Sequence, residues 1–197
     1  MLVREVMTSP AVTVGPGATL KQAVRLLDEH RITAMPVVDR AGHLVGVVSE
    51  ADALRDLVPP DRRRHERAVD LSTPAAHLAV TDVMTHLPMT VSPDDDLSDA
   101  VELMVDTQVK SLPVVEFGRV VGMVSRRDVI AVLARQDDLI EAEVDEALRE
   151  AGVECVVDVV DGVVHLRDGD DPAYQRAAQV IASRVPGVVG VSVGGAT

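Results

Sequence analysis

The stretch Gly46-Val47-Val48-Ser49-Glu50-Ala51-Asp52 returns as Gly122-Met123-Val124-Ser125-Arg126-Arg127-Asp128, 76 residues further on. Working outward from it, the matches continue in order. Pro36-Val37-Val38 pairs with Pro113-Val114-Val115, Ala23-Val24 with Ala100-Val101, Leu20 with Leu97, and Pro16 with Pro93. Thr13-Val14 pairs with Thr90-Val91, and Val6-Met7-Thr8 with Val83-Met84-Thr85, now at an offset of 77. An ordered series interrupted by a single one-residue gap is the signature of tandem duplication.

Each copy carries the same local instructions. A short strand (Ala11–Val14, Met89–Val91) leads through a proline turn into a helix. Leu20, Ala23, Val24, Leu26 and Leu27 share one face of the first helix, and Leu97, Ala100, Val101, Leu103 and Met104 one face of the second. Thr19 with Gln22 has the spacing of a capping box, and Asp96 can cap the second helix. Two apolar strands follow, Pro36–Asp39 with Leu44–Val48 and Pro113–Glu116 with Arg119–Val124, turned at Gly42 or Gly118. A further helix opens at Ser49 or Ser125. Each copy therefore predicts β-α-β-β-α, a unit too small to bury its own faces unless the two copies pair.

From Asp137 the pattern changes. Leu139, Ile140, Val144, Ala147 and Leu148 mark a helix ending near Gly152, and Val153–Val160 and Val163–Leu166 read as a hairpin about Asp161-Gly162. A helix over Pro172–Arg184, with Ala173, Ala177, Val180 and Ile181 inward, precedes a last strand Val188–Val193. The expected fold class is α+β. Its parts are a first repeat (1–58), a connector (59–79), a second repeat (80–136) and an α-β-β-α-β module (137–197). Pro59-Pro60, Arg62-Arg63-Arg64, Arg67 and Thr73-Pro74 give the connector a polar, solvated character.

Composition narrows the function. Among 197 residues there are 39 valines but only one Tyr, one Phe and no Trp, which gives an aliphatic core and no platform for stacking nucleobases. Nineteen basic against thirty-two acidic residues leave a net charge of −13, the wrong sign for coating nucleic acid. The three segments 1–79, 80–136 and 137–197 carry net charges of 0, −4 and −9. One cysteine, Cys155, excludes a disulfide framework; it reads as a buried small hydrophobe. The six histidines share no spacing, so no metal site is expected. Glycine-rich phosphate loops and nucleophile–base sets are absent from the sequence, which does not argue for an enzyme. No cationic apolar leader and no apolar run near twenty residues is seen, so a cytoplasmic protein is expected.

The repeated Ser-x-x-Asp has two readings. Ser49 or Ser125 at a helix start, with Asp52 or Asp128 one turn on, is an ordinary capping box. The same residues suit a nucleotide: helix-start N–H groups and a serine hydroxyl meet phosphate oxygens, while a carboxylate accepts from both hydroxyls of a ribose. The second copy adds Lys110, Arg126 and Arg127 where the first has Thr33, Glu50 and Ala51, so a phosphate-rich ligand is expected to favour the second copy.

Residues 1–136 resemble tandem CBS domains. The resemblance rests on the Val-Met-Thr openings, Met35-Pro36-Val37-Val38 and Leu112-Pro113-Val114-Val115, and the Gly-x-Val-Ser-x-x-Asp that ends each copy. It implies a paired module, commonly dimerised again, whose clefts bind adenosine-containing ligands such as AMP, ADP or ATP. Asp52 and Asp128 would then hold ribose, with Ser49 and Ser125 beside the phosphate end. The adenine would lie among Val12, Ile32 and Val47 in one site and Met89, Val109 and Met123 in the other. The C-terminal segments Asp161-Gly162-Val163-Val164-x-Leu166 and Val185-Pro186-Gly187-Val188-x-x-Val191 resemble a BON domain, although Arg167-Asp168-Gly169 departs from that family's loop. BON domains are associated with phospholipid contact, which a −9 module disfavours at an anionic leaflet. The expectation is a non-catalytic, homodimeric adenosine-nucleotide sensor with no required cofactor and an unknown regulated protein partner. The alternative is a structural adaptor with empty clefts.

Overall fold

The computed structural model describes residues 1–57, 78–167 and 172–194. The fold divides into two compact units, Leu2–Arg126 and Arg127–Thr197, with Met1 grouped with the second. The sequence pattern changes at Asp137, but the division falls earlier, inside the helix that starts at Arg126. Arg62, Arg63, Arg64 and Arg67 of the connector lie outside the described residues.

In the first unit, α1 (Leu20–His30), β1 (Ala34–Val38), β2 (Leu44–Ser49) and α2 (Glu50–Leu57) form one copy. The short α3 (Val80–Val83), α4 (Leu97–Asp106), β3 (Ser111–Glu116), β4 (Arg119–Ser125) and the start of α5 (Arg126–Leu133) form the other. Thr19 Oγ1 accepts from the Gln22 N–H while Gln22 Oε1 accepts from the Thr19 N–H, the reciprocal capping box its spacing predicts. Asp96 caps α4 by accepting from the Ser98 N–H. Leu20, Ala23 and Leu27 are buried beneath α1, with Val24 and Leu26 partly buried beside them.

One expectation requires correction. The leading strands Ala11–Val14 and Met89–Val91 do not form; what remains of each is one parallel bridge, Val14 to Val37 and Val91 to Val114. Prolines at 10, 16, 88 and 93 flank these segments and remove the donors that a longer ladder needs. At the end of the expected connector, the Leu20 N–H donates to the Leu78 carbonyl and the Val80 N–H to the Ala18 carbonyl, each at 2.8 Å.

The copies exchange their leading segments. Thr8 exchanges hydrogen bonds of 2.9 and 3.0 Å with Met123 of the second copy, and Thr85 exchanges bonds of 2.9 and 3.0 Å with Val47 of the first. Val3 donates to the Asp95 carbonyl, whereas Val80 and Met84 enter the core of the first copy. Gly46 and Gly122 permit this crossing. A Cβ on Gly46 would lie 2.6 Å from Met84 Sδ and 2.8 Å from the Thr85 carbonyl, and one on Gly122 would lie 2.7 Å from Met7 Sδ.

The second unit contains α5 beyond Arg126, α6 (Asp137–Glu150), β5 (Val156–Val160), β6 (Val163–Arg167), α7 (Pro172–Ala182) and β7 (Gly190–Gly194). β6 lies between an antiparallel β5 and a parallel β7. The expected hairpin turn has φ of +52° at Asp161 and +74° at Gly162, and both N–H groups donate to the Asp137 carboxylate at 2.8 Å. Ile140, Val144 and Leu148 pack on Val157, Val159, Val164 and Leu166. Cys155 is half-buried against this core rather than fully enclosed. Leu139 is exposed. The inward face of α7 is Ala178, Ile181 and Ala182, so the expected Ala177 and Val180 point outward. That helix is alanine-rich, and its spacing fits two faces one residue apart.

Candidate functional site

Leader exchange determines where a site can form. Because Thr85 lies against Val47, the segment that follows it in the second copy, Leu87–Met89, runs beside the strand-to-helix junction of the first. A cavity of about 490 Å³ opens there, within the range of roughly 300–1,000 Å³ typical of small-molecule pockets. Thr33, Val47, Ser49 and Asp52 line it from the first copy, and Met89, Val109 and Lys110 from the second. Seven of the fourteen predicted residues are thus brought together, but by cavity and not by copy. Met89, Val109 and Lys110 were expected to accompany Ser125 and Asp128; the structure sets them with Ser49 and Asp52.

The junction itself is tightly specified. β2 ends at Ser49, and the Glu50 N–H donates to the Thr33 carbonyl at 2.9 Å. The Ser49 N–H and hydroxyl both donate to Asp52 Oδ2, at 2.9 and 2.7 Å, and the Asp52 N–H approaches Ser49 Oγ at 3.4 Å. This is a closed capping box on α2, and it leaves Asp52 buried at 8% exposure. The Arg55 guanidinium stands 3.7 Å from Asp52 Oδ1. A carboxylate offers about four acceptor positions, so the cap does not exhaust Asp52. Both readings of Ser-x-x-Asp fit the same two side chains.

Across the cavity, Lys110 Nζ lies 3.9 Å from Glu50 Oε2, with both side chains substantially exposed. Two lining residues carry a signal that the composition did not give. Glu50 contributes a second carboxylate. Ser111 has a buried hydroxyl with no hydrogen-bond partner in the protein, an arrangement that folded proteins rarely leave unanswered. Its repeat counterpart is Ala34, so comparing the copies position by position would have singled it out.

The other predicted residues lie elsewhere. Val12 and Ile32 do not line this cavity; Ile32 packs against the core of the first copy. Met123 uses its backbone to bridge Thr8, and Ser125 is the ladder partner of Ser111. Of the three cations expected together, Lys110 and Arg126 are backbone neighbours, the Arg126 N–H donating to the Lys110 carbonyl at 3.0 Å. Lys110 lines the cavity, and Arg127, like Asp128, belongs to the second unit. Arg126 donates from Nη2 to the Met104 carbonyl at 2.6 Å, leaving a buried Nε without a protein partner. Among the described residues no cluster of three or more His, Cys, Asp or Glu side chains could hold a metal, and no helix is long and apolar enough to cross a membrane.

The CBS domain family model matches residues 3–59 and 80–135, which together hold both copies and both Ser-x-x-Asp segments. The chain belongs to the CBS-domain family. The uncharacterized protein MJ1426 of Methanocaldococcus jannaschii is similar to this CBS-domain protein, with 31% identity over 68% of this chain and 91% of the relative. The CBS domain-containing protein YhcV of Bacillus subtilis is 32% identical over 64% of this chain and 81% of its own length. Among solved structures, CBSX2 in complex with AMP is 30% identical, with a TM-score of 0.53 over 66% of this chain and 93% of that one. The inosine-5'-monophosphate dehydrogenase of M. jannaschii is 28% identical over 64% of this chain, a segment amounting to 22% of that enzyme.

Proposed function

We propose that this CBS-domain protein is a non-catalytic regulatory sensor that binds an adenosine-containing ligand of the AMP, ADP or ATP type between its two copies. The observation that carries this reading is the cavity shared by the copies, where a buried, only partly satisfied carboxylate at a helix start meets an aliphatic wall. Asp52 would accept from ribose, with adenine against Val47, Val109 and Met89. The AMP complex of CBSX2, a relative at 30% identity, supports the ligand class. The same chemistry would operate at Val12, Ile32, Met123, Ser125 and Arg126 if a second ligand binds. Binding acts on a partner only through different affinities for two arrangements of the chain or of its homodimer. We read the C-terminal module as BON-like, contacting a protein in the cytoplasm and not a membrane.

Thermal unfolding of the full chain against adenosine and its mono-, di- and triphosphates tests the reading. A ligand held by the folded state raises Tm progressively with concentration. No shift with any member at millimolar supply overturns it. The closed Ser49–Asp52 box favours a second reading, a structural dimerisation adaptor whose clefts stay empty, and that outcome would establish it. For the C-terminal module, salt-resistant co-flotation with anionic liposomes would refute a purely protein-facing role.

A further inference from the structure

The cavity is poor in positive charge. Two carboxylates, Glu50 and Asp52, line it against one cation, Lys110, whose ammonium already lies within 3.9 Å of Glu50. The helix start that a phosphate would use is occupied from within, since the Ser49 N–H and hydroxyl are both spent on Asp52. Among the described residues Arg55 stands 3.7 Å from Asp52 Oδ1 and so is paired with that carboxylate, while Arg126, which replaces Glu50 in the other copy, donates to the Met104 carbonyl. The rest of the wall is largely uncharged: Thr33 and Thr107 stand in it, the Thr107 hydroxyl donating to the Leu103 carbonyl, and much of the remaining surface is aliphatic.

We infer that this cavity selects an adenosine derivative carrying little negative charge, a nucleoside, its 5′-thioether or at most a monophosphate, against di- and triphosphates. The inference rests on the sensor reading above and narrows its ligand. A single phosphate can draw Lys110 away from Glu50. Each further phosphate adds charge facing two carboxylates and, among the described residues that line the cavity, meets no further cation, so repulsion grows with phosphate number. The discrimination is therefore electrostatic and diminishes with salt.

Calorimetric titration of the full chain with adenosine, 5′-methylthioadenosine, AMP, ADP and ATP, without magnesium and at low and high salt, separates the possibilities. The expected order has adenosine and its thioether binding at least tenfold tighter than ATP at low salt, with the gap narrowing at high salt. Glu50→Gln is expected to shift the ATP-to-adenosine affinity ratio at least threefold toward ATP. ATP binding as tightly as adenosine, or a ratio that neither salt nor Glu50→Gln moves, overturns the inference while leaving the sensor intact. Failure of every compound to bind, or binding indifferent to Asp52→Ala, overturns both.

Discussion

The two copies share a fold and differ in chemistry. At matching positions their cores agree closely: Met35 and Leu112, Val37 and Val114, and Val48 and Val124 are all essentially inaccessible. At the helix start the agreement ends. The first copy places Glu50 opposite Lys110, whereas the second places Arg126, whose guanidinium donates to the end of α4. Duplication copied the requirements of burial, which tolerate little change. It left surface positions at the cleft to diverge, so Glu50 lines the shared cavity while its counterpart Arg126 ties the start of α5 to the end of α4.

Four measurements would break or sharpen this comparison. The largest effects belong to the core, where the copies should respond alike: Met35→Ala and Leu112→Ala are each expected to cost about 2–5 kcal/mol in urea unfolding. A difference between them beyond that range would mean one copy is dispensable. The crossings come next. Gly46→Ala and Gly122→Ala both overpack, at about 1–3 kcal/mol, with Gly46 the costlier. Its new methyl meets the Thr85 carbonyl at 2.8 Å and a buried Met84, whereas at Gly122 the Thr8 carbonyl is 3.0 Å away and Met7 is only half-buried and can yield.

The third measurement separates cap from ligand group. Asp52→Ala removes the capping partner of Ser49 and is expected to lower stability by about 1 kcal/mol and adenosine affinity by at least tenfold. Ser111→Ala removes a hydroxyl with no protein partner. It should leave stability unchanged or slightly raised, since no protein hydrogen bond is lost, and leave adenosine affinity unchanged, because the oxygen is closed off from the cavity. Parallel losses of stability and affinity in Ser111→Ala would show that the hydroxyl is structural.

The smallest effect lies in the C-terminal unit. The Arg135 guanidinium beside Glu143 holds that carboxyl below its ordinary range and also donates to the Pro186 carbonyl at 2.8 Å. A carboxyl lowered on folding stabilises the native state above its unfolded pKa and loses that contribution as pH falls through the folded one. Stability should thus decline below about pH 4.5, the ordinary value at which this carboxyl takes up its proton in the unfolded chain, and level off once pH has passed the lower folded value. The decline should be shallower in Glu143→Gln, by no more than about 1 kcal/mol for a pair this exposed. Identical pH profiles would show that the pair contributes nothing.

Legibility in the sequence followed the range of the interaction. The Thr19–Gln22 box, the Asp96 cap and the Asp161-Gly162 turn are decided within a few residues, and all three form as their spacing predicts. The paired hydrophobic faces were readable because the duplication showed each one twice. Leader exchange was not, because Thr8 meets Met123 across 115 residues and Val47 meets Thr85 across 38, and no local pattern encodes either pairing. That one miss produced the misgrouping of Met89, Val109 and Lys110. In α7 the fault lay in composition: alanines at 173, 177, 178 and 182 allow two registers, and only packing against Val164 and Leu166 chooses between them.

Reciprocal crossing of the leaders has a consequence for how such a chain can be divided. A fragment ending near residue 57 would retain α1 to α2 but lack Val80 and Met84 to close its interior, and a fragment beginning at Val80 would lack Val3. Neither half is a self-sufficient building block. A forebear holding only one copy would have needed a second molecule to lend its opening segment, so the present pair holds, within one polypeptide, the geometry of two subunits clasping each other.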